Sequence, residues 1–362
     1  MPSQSFKVSY LSGMDSGKVT WRSPSNIALV KYWGKRERQL PANPSLSITL
    51  SNAYTETTID YEFIEALSAP GLHFMFNGIN EPVFEKRIAL YIQNLILDIP
   101  CLKHLRLNIQ SKNTFPHSAG IASSASAFSS IALCLCSIEE KITGQQVSGS
   151  LDLYHKASYL ARLGSGSACR SVFGGYVIWG NTEESDTCSN LYAQPFPFEV
   201  HPELKEMHDT ILIVSSAKKE VSSSIGHGLM KSHPYAEARY DQARKHTSQL
   251  IEAIRNGDME KFIEITENEA LSLHGLLMSS EGQHILLKPQ SLAIIDLVRI
   301  FRNDTKIPVC FSIDAGPNIH LLYPKTYREK VCDFITQQLL PLCENGKMID
   351  DKIGIGPLKI NV

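Results

Sequence analysis

Hydrophobic and polar positions along the chain follow two different periods, and the period changes from segment to segment. In the first third, partial alternation of apolar and polar residues predicts strands at 18–34, 45–52 and 55–63. Apolar residues at helical spacing predict helices at 84–97, 124–138, 151–162, within 235–273, at 290–303 and at 326–340. Further strands are predicted at 105–113, at the end of the Gly-rich segment 163–180, at 208–216, on both sides of a turn within 309–324, and at 351–362.

These elements mix without a regular alternation of strand and helix, which favours an α+β fold over a doubly wound parallel sheet. A polar and then proline-rich segment near 182–205 predicts a domain boundary. A length of 362 residues fits about two domains. We therefore expect domains at 1–200 and 201–362, and the pattern leaves open a return of the last strand to the N-terminal domain.

The formal charge is nearly balanced but unevenly distributed. The chain has 35 Lys and Arg against 37 Asp and Glu, a net charge of −2, which argues against a nucleic-acid binder and against disorder. Residues 16–36 nevertheless hold five basic and no acidic residues, and 153–182 hold three basic and no acidic ones. The nearly balanced total leaves small polar or anionic metabolites open as partners.

The cysteine pattern and the N-terminus indicate a soluble cytoplasmic protein. Eight cysteines are scattered without a C-x-x-C pair, which fits buried thiols such as Cys134 and Cys136 in a reducing compartment. Residues 1–18 lack the apolar core of a signal peptide, so we expect no secretion. Residues 113–138 carry no charge, but their first half is too rich in Ser, Gly and Pro to span a membrane.

A loop of small and hydroxyl residues, FPHSAGIASSAS at 115–126, precedes the predicted helix at 124–138. Ser118 and Gly120 lie in the loop, and Ser123 and Ser124 lie at the helix start. The free N–H groups and the positive dipole end of a helix bind phosphate, and glycine allows close approach. A capped helix start with small residues for packing is the alternative reading.

A second loop, GSGSACR at 164–170, places Ser165 and Ser167 before Arg170. Two hydroxyls and a guanidinium suit a diphosphate or a carboxylate. A plain tight turn explains the glycines equally well.

Three further segments carry charged residues. In NIALVKYWGKR at 26–36, strand alternation places Lys31 and Lys35 on one face and Tyr32 on the other, and a solvated strand edge is the alternative. In SIDAGPN at 312–318, Asp314 is either a turn residue or a functional acid. The segment KKEVSSS at 218–224 is basic and rich in hydroxyls, and it fits a phosphate contact or a solvated loop.

Together these five segments resemble the diphosphomevalonate decarboxylases (mevalonate diphosphate decarboxylases) of the GHMP-kinase superfamily. The stretches that carry the resemblance are NIALVKYWGKR, PANPSLSITLS, NTFPHSAGIASSASAF, ARLGSGSACRSVFGGYVIW, KKEVSS and DAGPN, in family order from about residue 20 to 320. The resemblance implies two α+β domains with the active site in the cleft between them. It implies ATP-dependent decarboxylation of (R)-5-diphosphomevalonate to isopentenyl diphosphate with Mg2+, in the mevalonate pathway, by a cytoplasmic homodimer.

The resemblance also implies a role for each matching residue. Asp314 matches the catalytic acid that engages the tertiary hydroxyl of the substrate, and Lys31 is placed to hold Asp314 ionised. The expected substrate-binding residues are Tyr32, Lys35, Arg87, Ser165, Ser167, Arg170 and Ser222. The expected ATP-binding residues are Ser118, Gly120, Ser123, Ser124, Lys218 and Lys219, with Ser123 also a ligand of Mg2+ and one of the two lysines reaching phosphate.

Two positions depart from the family pattern, and neither is Asp314 or Lys31. His117 stands where a small polar residue is expected, and Pro44 stands where Ser is usual. The alternative function is a mevalonate 3-kinase or phosphomevalonate decarboxylase of the same superfamily. From another class, a non-catalytic nucleotide- or isoprenoid-binding protein would be expected to lack the carboxylate that Asp314 supplies.

Overall fold

Strands and helices interleave irregularly along the chain, as an α+β fold requires. A computed structural model describes residues 16–361 except 65–66, 68, 117–120, 145–151 and 218–222, with backbone alone at 223 and 224. The strands are β1 (Ser16–Val30), β2 (Ser45–Phe63), β3 (Gly71–Phe76), β4 (Ile79–Asn80), β5 (Leu105–Asn113), β6 (Tyr176–Trp179), β7 (Ala193–Pro195), β8 (Met207–Leu212), β9 (Cys310–Ser312), β10 (Ile319–Pro324), β11 (Met348–Lys352) and β12 (Leu358–Ile360). The helices are α1 (Pro82–Asn94), α2 (Ser123–Thr143), α3 (Leu153–Gly164), α4 (Pro202–Lys205), α5 (Ser223–Leu229), α6 (Ala236–Asn256), α7 (Met259–Ser279), α8 (Pro289–Thr305) and α9 (Arg328–Phe334).

The larger sheet is built around the long strand β2. Its main path is β12-β1-β2-β5-β3-β4, and all neighbours are antiparallel except β3 and β5. On the side of β2 away from β1, the first half of β2 pairs with β6 and the second half with β5. β7 extends the sheet beyond β6. This sheet brings the end of β1 and the segment after α3 to the same region.

Helix α2 is buried along most of its length between β1, β2 and α3. Two of its serines pair with hydroxyls of β2: Ser126 Oγ with Thr55 Oγ1 and Ser130 Oγ with Thr57 Oγ1, each at 2.6 Å. Buried hydroxyls are tolerated when they are hydrogen-bonded. The small side chains therefore let the helix lie close to the sheet without unsatisfied polar groups at these pairs.

The smaller sheet has the strand order β11-β8-β10-β9 and is antiparallel throughout. α8 and α9 cover one face through apolar residues such as Ile294, Val298 and Phe334. Another apolar cluster joins residues of the larger sheet, such as Ile27 and Leu46, to residues around the smaller sheet. The two sheets therefore share part of their core, and α7 contacts both β1 and β9.

One buried carboxylate ties the two sheets together. Asp351 on β11 accepts hydrogen bonds from the backbone N–H groups of Ser51, Asn52 and Ala53 on β2, at 2.8, 2.8 and 2.7 Å. These residues lie where the pairing of β1 with β2 is interrupted. The sequence predicts two strands at 45–52 and 55–63, but the structure has one strand because the carboxylate supplies acceptors across the interruption.

Further differences from the sequence prediction lie in the C-terminal half. The helical segment 235–273 is two helices, because Gly257 takes a left-handed φ of 73° and Asp258 caps α7. The predicted helix at 326–340 is α9 followed by a wider turn at Ile335–Leu339. The predicted strand at 351–362 is two strands, because β11 joins the smaller sheet and β12 pairs with β1 in the larger one.

Several other elements follow the prediction closely, whereas β3, β4, β7, α4 and α5 have no counterpart in it. The strand at 105–113 is confirmed with its bounds, and α2 contains the predicted 124–138. Cys134 and Cys136 are fully buried, as predicted. Among the described residues, no helix is both long enough and apolar enough to cross a membrane. The division at residue 200 stays a prediction of the sequence.

Candidate active site

A cavity of about 180 Å³ opens where the end of β1, the start of α2, the end of α3, α5, α7 and the turn after β9 meet. Residues from both sheets therefore contribute to it. Nine residues predicted from the sequence line this cavity: Lys31, Tyr32, Lys35, Arg87, Ser124, Ser165, Ser167, Arg170 and Asp314.

At the inner wall, a lysine and an aspartate form an ion pair. Lys31 Nζ lies 2.9 Å from Asp314 Oδ1 and donates to Ser312 Oγ at 2.8 Å. The Lys31 side chain is 2% exposed, whereas that of Asp314 is 27% exposed, so the carboxylate is the member of the pair that faces the cavity. Burial lowers the pKa of Lys31, and the negative charge of Asp314 opposes that effect.

The backbone of Lys31 is held by side chains from other elements. β1 ends at Val30, so residues 31–35 leave the strand and its alternation. The N–H of Lys31 donates to Glu269 Oε2 at 2.8 Å, and Asn43 Nδ2 donates to the Lys31 carbonyl at 3.0 Å. The prediction that Tyr32 faces away from Lys31 and Lys35 is therefore wrong, since all three line one cavity.

Glu269 is itself part of a buried ion network. Arg239 donates to both of its carboxylate oxygens, at 2.8 and 2.5 Å, and His246 Nδ1 lies 2.6 Å from Oε1. Burial alone raises the pKa of Glu269, but the Arg239 charge and the hydrogen bonds outweigh it and leave the pKa below its usual value. The Glu269 carboxylate therefore stays ionised and accepts the N–H of Lys31 from a fixed position.

Arg170 is a buried cation without a carboxylate in ion-pair contact in the described part of the chain. It is 3% exposed. Its Nη atoms donate to Ser45 Oγ at 2.7 Å and to Asn26 Oδ1 at 3.3 Å, and its Nε has no hydrogen-bond partner among the described residues. Burial lowers the pKa of Arg170. A buried charge is costly unless it is compensated, so this guanidinium fits an anionic ligand.

Two more cations line the cavity from other directions. Lys35 follows the end of β1, and Arg87 on α1 stacks over the ring of Phe128 with its Cζ 4.9 Å from the ring centre. Burial and the charges of Lys231 and Arg87 lower the pKa of Lys35. Neither Lys35 nor Arg87 is in an ion pair within the described ranges, so the cavity carries an excess of positive charge over Asp314.

A glycine lets the hydroxyl loop approach Tyr32. A Cβ on Gly166 would lie 2.6 Å from Tyr32 Cε1, a separation that real side chains do not adopt. In the same loop, Ser165 Oγ lies 3.1 Å from Ser124 Oγ, and this contact joins the loop to the start of α2. Burial raises the pKa of Tyr32, so its phenol keeps its proton.

Ser123 departs from the predicted cluster. It lines a neighbouring apolar pocket with Phe74, Phe84 and Phe128, and this pocket shares Arg87 and Ser124 with the main cavity. The Oγ of Ser123 is buried and has no hydrogen-bond partner in the described structure. The predicted residues Ser118, Gly120, Lys218, Lys219 and Ser222 lie outside the described residues.

Sequence reasoning missed several residues that complete the site. Gln39, Trp33 and His227 line the cavity, and His227 Nδ1 accepts the N–H of Gly34 at 3.1 Å. Trp33 lies inside the KYWG motif, so that motif was a usable signal. No local pattern marks His227, or Glu269 behind Lys31, because both reach the site only through the packing of α5 and α7.

The fold and the cavity are those of a GHMP-kinase-type protein, and the excess of cations in the cavity suits a small polyanion. Two family models match the chain: the diphosphomevalonate decarboxylase-like N-terminal domain at residues 23–190, and the mevalonate 5-diphosphate decarboxylase C-terminal domain at 210–355. The diphosphomevalonate decarboxylase of Homo sapiens is 31% identical over 88% of this chain and 78% of its own. The diphosphomevalonate decarboxylase of Candida albicans is 30% identical over 95% of this chain and 98% of its own.

Solved structures give the same result. The mevalonate diphosphate decarboxylase from Staphylococcus aureus matches with a TM-score of 0.80 and 28% identity over 96% of this chain and 98% of its own. A structure named MDDEF, in complex with MVAPP, AMPPCP and magnesium, matches with a TM-score of 0.80. It is 30% identical over 96% of this chain and 100% of its own. The chain belongs to the diphosphomevalonate decarboxylase family. The predicted family and the predicted GHMP-kinase fold are confirmed.

The network behind Lys31 generates a stability prediction. Glu269→Gln removes the charge that compensates Arg239, and breaking a buried pair typically costs about 3–5 kcal/mol. We expect the free energy of unfolding in urea to fall by that order and kcat/KM to fall with it. The matched control is Glu264→Gln on the same helix, where an exposed pair with Lys261 is screened by solvent and contributes little to stability. Equal effects of the two substitutions would contradict the role of Glu269.

Proposed function

We propose that the chain catalyses the ATP-dependent decarboxylation of (R)-5-diphosphomevalonate to isopentenyl diphosphate, with release of ADP, phosphate and CO2. The observation that carries this proposal is one carboxylate, Asp314, facing a cavity whose other charged lining residues, Lys31, Lys35, Arg87 and Arg170, are all cations. A substrate with a diphosphate at one end and a hydroxyl to be activated at the other matches that distribution.

Asp314 is the proposed catalytic residue. A tertiary alcohol is a weak nucleophile, and a positioned carboxylate can align it and accept its proton as the hydroxyl attacks the γ-phosphate of ATP. Lys31 supports this role because a positive charge at 2.9 Å favours the ionised form of the carboxylate. The phosphorylated hydroxyl then leaves, and loss of CO2 supplies the electrons that form the double bond.

The diphosphate end of the substrate is assigned to the cationic wall of the cavity. Arg170 provides a guanidinium, and Lys35 and Arg87 add charge from two other elements. Tyr32, Ser165 and Ser167 line the same space and offer neutral hydroxyl donors. A buried diphosphate would compensate Arg170, which has no ion-pair partner within the described ranges.

The start of α2 is the proposed phosphate site for ATP. Ser124 lines the cavity there. Ser123 as a ligand of Mg2+ stays a prediction of the sequence, because Ser123 lines the neighbouring apolar pocket instead. When bound, Mg2+ would neutralise phosphate charge. The related structure in complex with AMPPCP and magnesium supports the use of ATP and Mg2+. Ser118, Gly120, Lys218 and Lys219 as ATP contacts, and Ser222 as a substrate contact, stay predictions of the sequence.

The assembly state and cellular location also stay predictions. The family resemblance implies a homodimer in the cytoplasm. Neither property enters the chemistry proposed for the cavity.

The reaction is tested by offering three substrates separately. Purified protein with ATP and Mg2+ is incubated with mevalonate, 5-phosphomevalonate or 5-diphosphomevalonate, and CO2 and ADP are measured. We expect both products in equal amounts from 5-diphosphomevalonate alone, because only that substrate carries a diphosphate to bind the cationic wall. CO2 from the monophosphate alone, or ADP without CO2, would replace this proposal with a phosphomevalonate decarboxylase or a 3-kinase.

The role of Asp314 is tested by Asp314→Asn. The amide keeps the shape of the side chain but cannot accept a proton, so kcat should fall by roughly 10³-fold, within the range of a lost general base. ATP affinity should change little. The matched control is Asp333→Asn on α9, an exposed aspartate outside the cavity lining, which should behave as wild type. A near-normal kcat in Asp314→Asn would remove Asp314 from the mechanism.

A further inference from the structure

His227 lines the cavity, yet the proposed reaction gives it no role. It lies on α5 and is 8% exposed. Its ring is held between two aromatic rings of the segment after β1, with centroid distances of 4.3 Å to Tyr32 and 4.8 Å to Trp33. The imidazole therefore has a fixed place beside residues assigned to the substrate.

One hydrogen bond determines which ring nitrogen carries the proton. The N–H of Gly34 donates to Nδ1 at 3.1 Å, so Nδ1 is an acceptor and the proton of a neutral ring is on Nε2. Burial, with the charges of Lys35 and Arg170, lowers the pKa of His227 to about 3, so the ring is neutral near pH 7. Among the described residues, no hydrogen bond involves Nε2.

A glycine next to the histidine explains how the ring reaches this position. A Cβ on Gly226 would lie 2.4 Å from Cη2 of Trp33. The missing side chain lets α5 approach Trp33 closely enough to place His227 between the two aromatic rings. Any larger residue at 226 would separate them.

We propose that His227 donates a hydrogen bond from Nε2–H to an oxygen of the substrate's diphosphate and so contributes to substrate specificity. This assignment rests on the proposed function. The diphosphate is the acceptor because Tyr32 packs on the ring, Lys35 and Arg170 line the same cavity, and all three belong to the wall assigned to that group. A neutral donor adds a directional contact to the cationic wall without adding a further positive charge.

The direct test is the imidazole 15N spectrum of the full-length wild-type protein, with the His227 signals assigned by their loss in His227→Gln. We expect Nε2 to carry the proton in the free protein. Its signal should shift when 5-diphosphomevalonate or inorganic pyrophosphate is added, and should stay in place with mevalonate, which lacks the diphosphate. A proton on Nδ1, or an unchanged Nε2 signal with either diphosphate probe present at saturating concentration, would overturn the proposal.

Kinetics of two variants supply a second test. His227→Phe keeps a ring between Tyr32 and Trp33 but has no donor, so KM for 5-diphosphomevalonate should rise roughly tenfold, the value of one hydrogen bond to a charged group. KM for ATP and kcat should stay within about twofold of wild type, and His227→Gln should recover part of the loss because its amide can donate. Equal changes in both KM values, or no change, would contradict the proposal.

The two proposals fail in different ways. If wild-type protein released no CO2 but pyrophosphate still shifted the Nε2 signal, the decarboxylation would be wrong and the diphosphate contact of His227 would stand. If CO2 were released and the signal did not move, His227 would be structural only.

Discussion

The burial of one ammonium group organises this structure. Lys31 lies at the end of β1, between the two sheets, with 2% of its side chain exposed. A charge in that position needs compensation, and Asp314 provides it from the turn after β9. The pair can form only when both sheets are in place, so the site is a product of their packing. Three side chains hold the lysine of this pair. Glu269 and Arg239 bind the Lys31 backbone, and Ser312 accepts a hydrogen bond from Lys31 Nζ.

The same constraint shapes the rest of the cavity. Because Lys31 is paired, Asp314 is not available to compensate Arg170, Lys35 and Arg87 fully. The cavity therefore keeps a positive excess inside a chain whose total charge is only −2. Such an arrangement is unfavourable for the empty protein and favourable for a polyanion. The structure thus concentrates its recognition of phosphate groups in a small, largely buried volume.

Much of the fold and of the site could be predicted from the sequence. Local patterns were sufficient for β5, α2 and the α+β class, since period and turn residues act over short distances. The motifs around Lys31, Ser165 and Asp314 were sufficient to predict residues that line one cavity. The resemblance to a known family, rather than spacing alone, placed them in a common site.

What the sequence could not show depends on long-range packing. The continuity of β2 rests on Asp351, about 300 residues away in the chain, which bonds to N–H groups that local propensity treats as a break. The alternation that separates Tyr32 from Lys31 fails because β1 ends at Val30. β12 crosses to the larger sheet, where it pairs with β1. His227 had no local signal, since only the contact of Gly226 with Trp33 places it in the cavity.

The central claim is that Lys31 and Asp314 act as one unit, and a double-mutant cycle on CO2 release under single-turnover conditions tests it most directly. If Lys31 serves to hold the Asp314 carboxylate, Lys31→Met and Asp314→Asn should each lower the rate strongly. The double variant should then be no slower than Asp314→Asn alone, because residues that act as a unit are not additive. Losses that multiply in the double variant would show independent roles and would contradict the account.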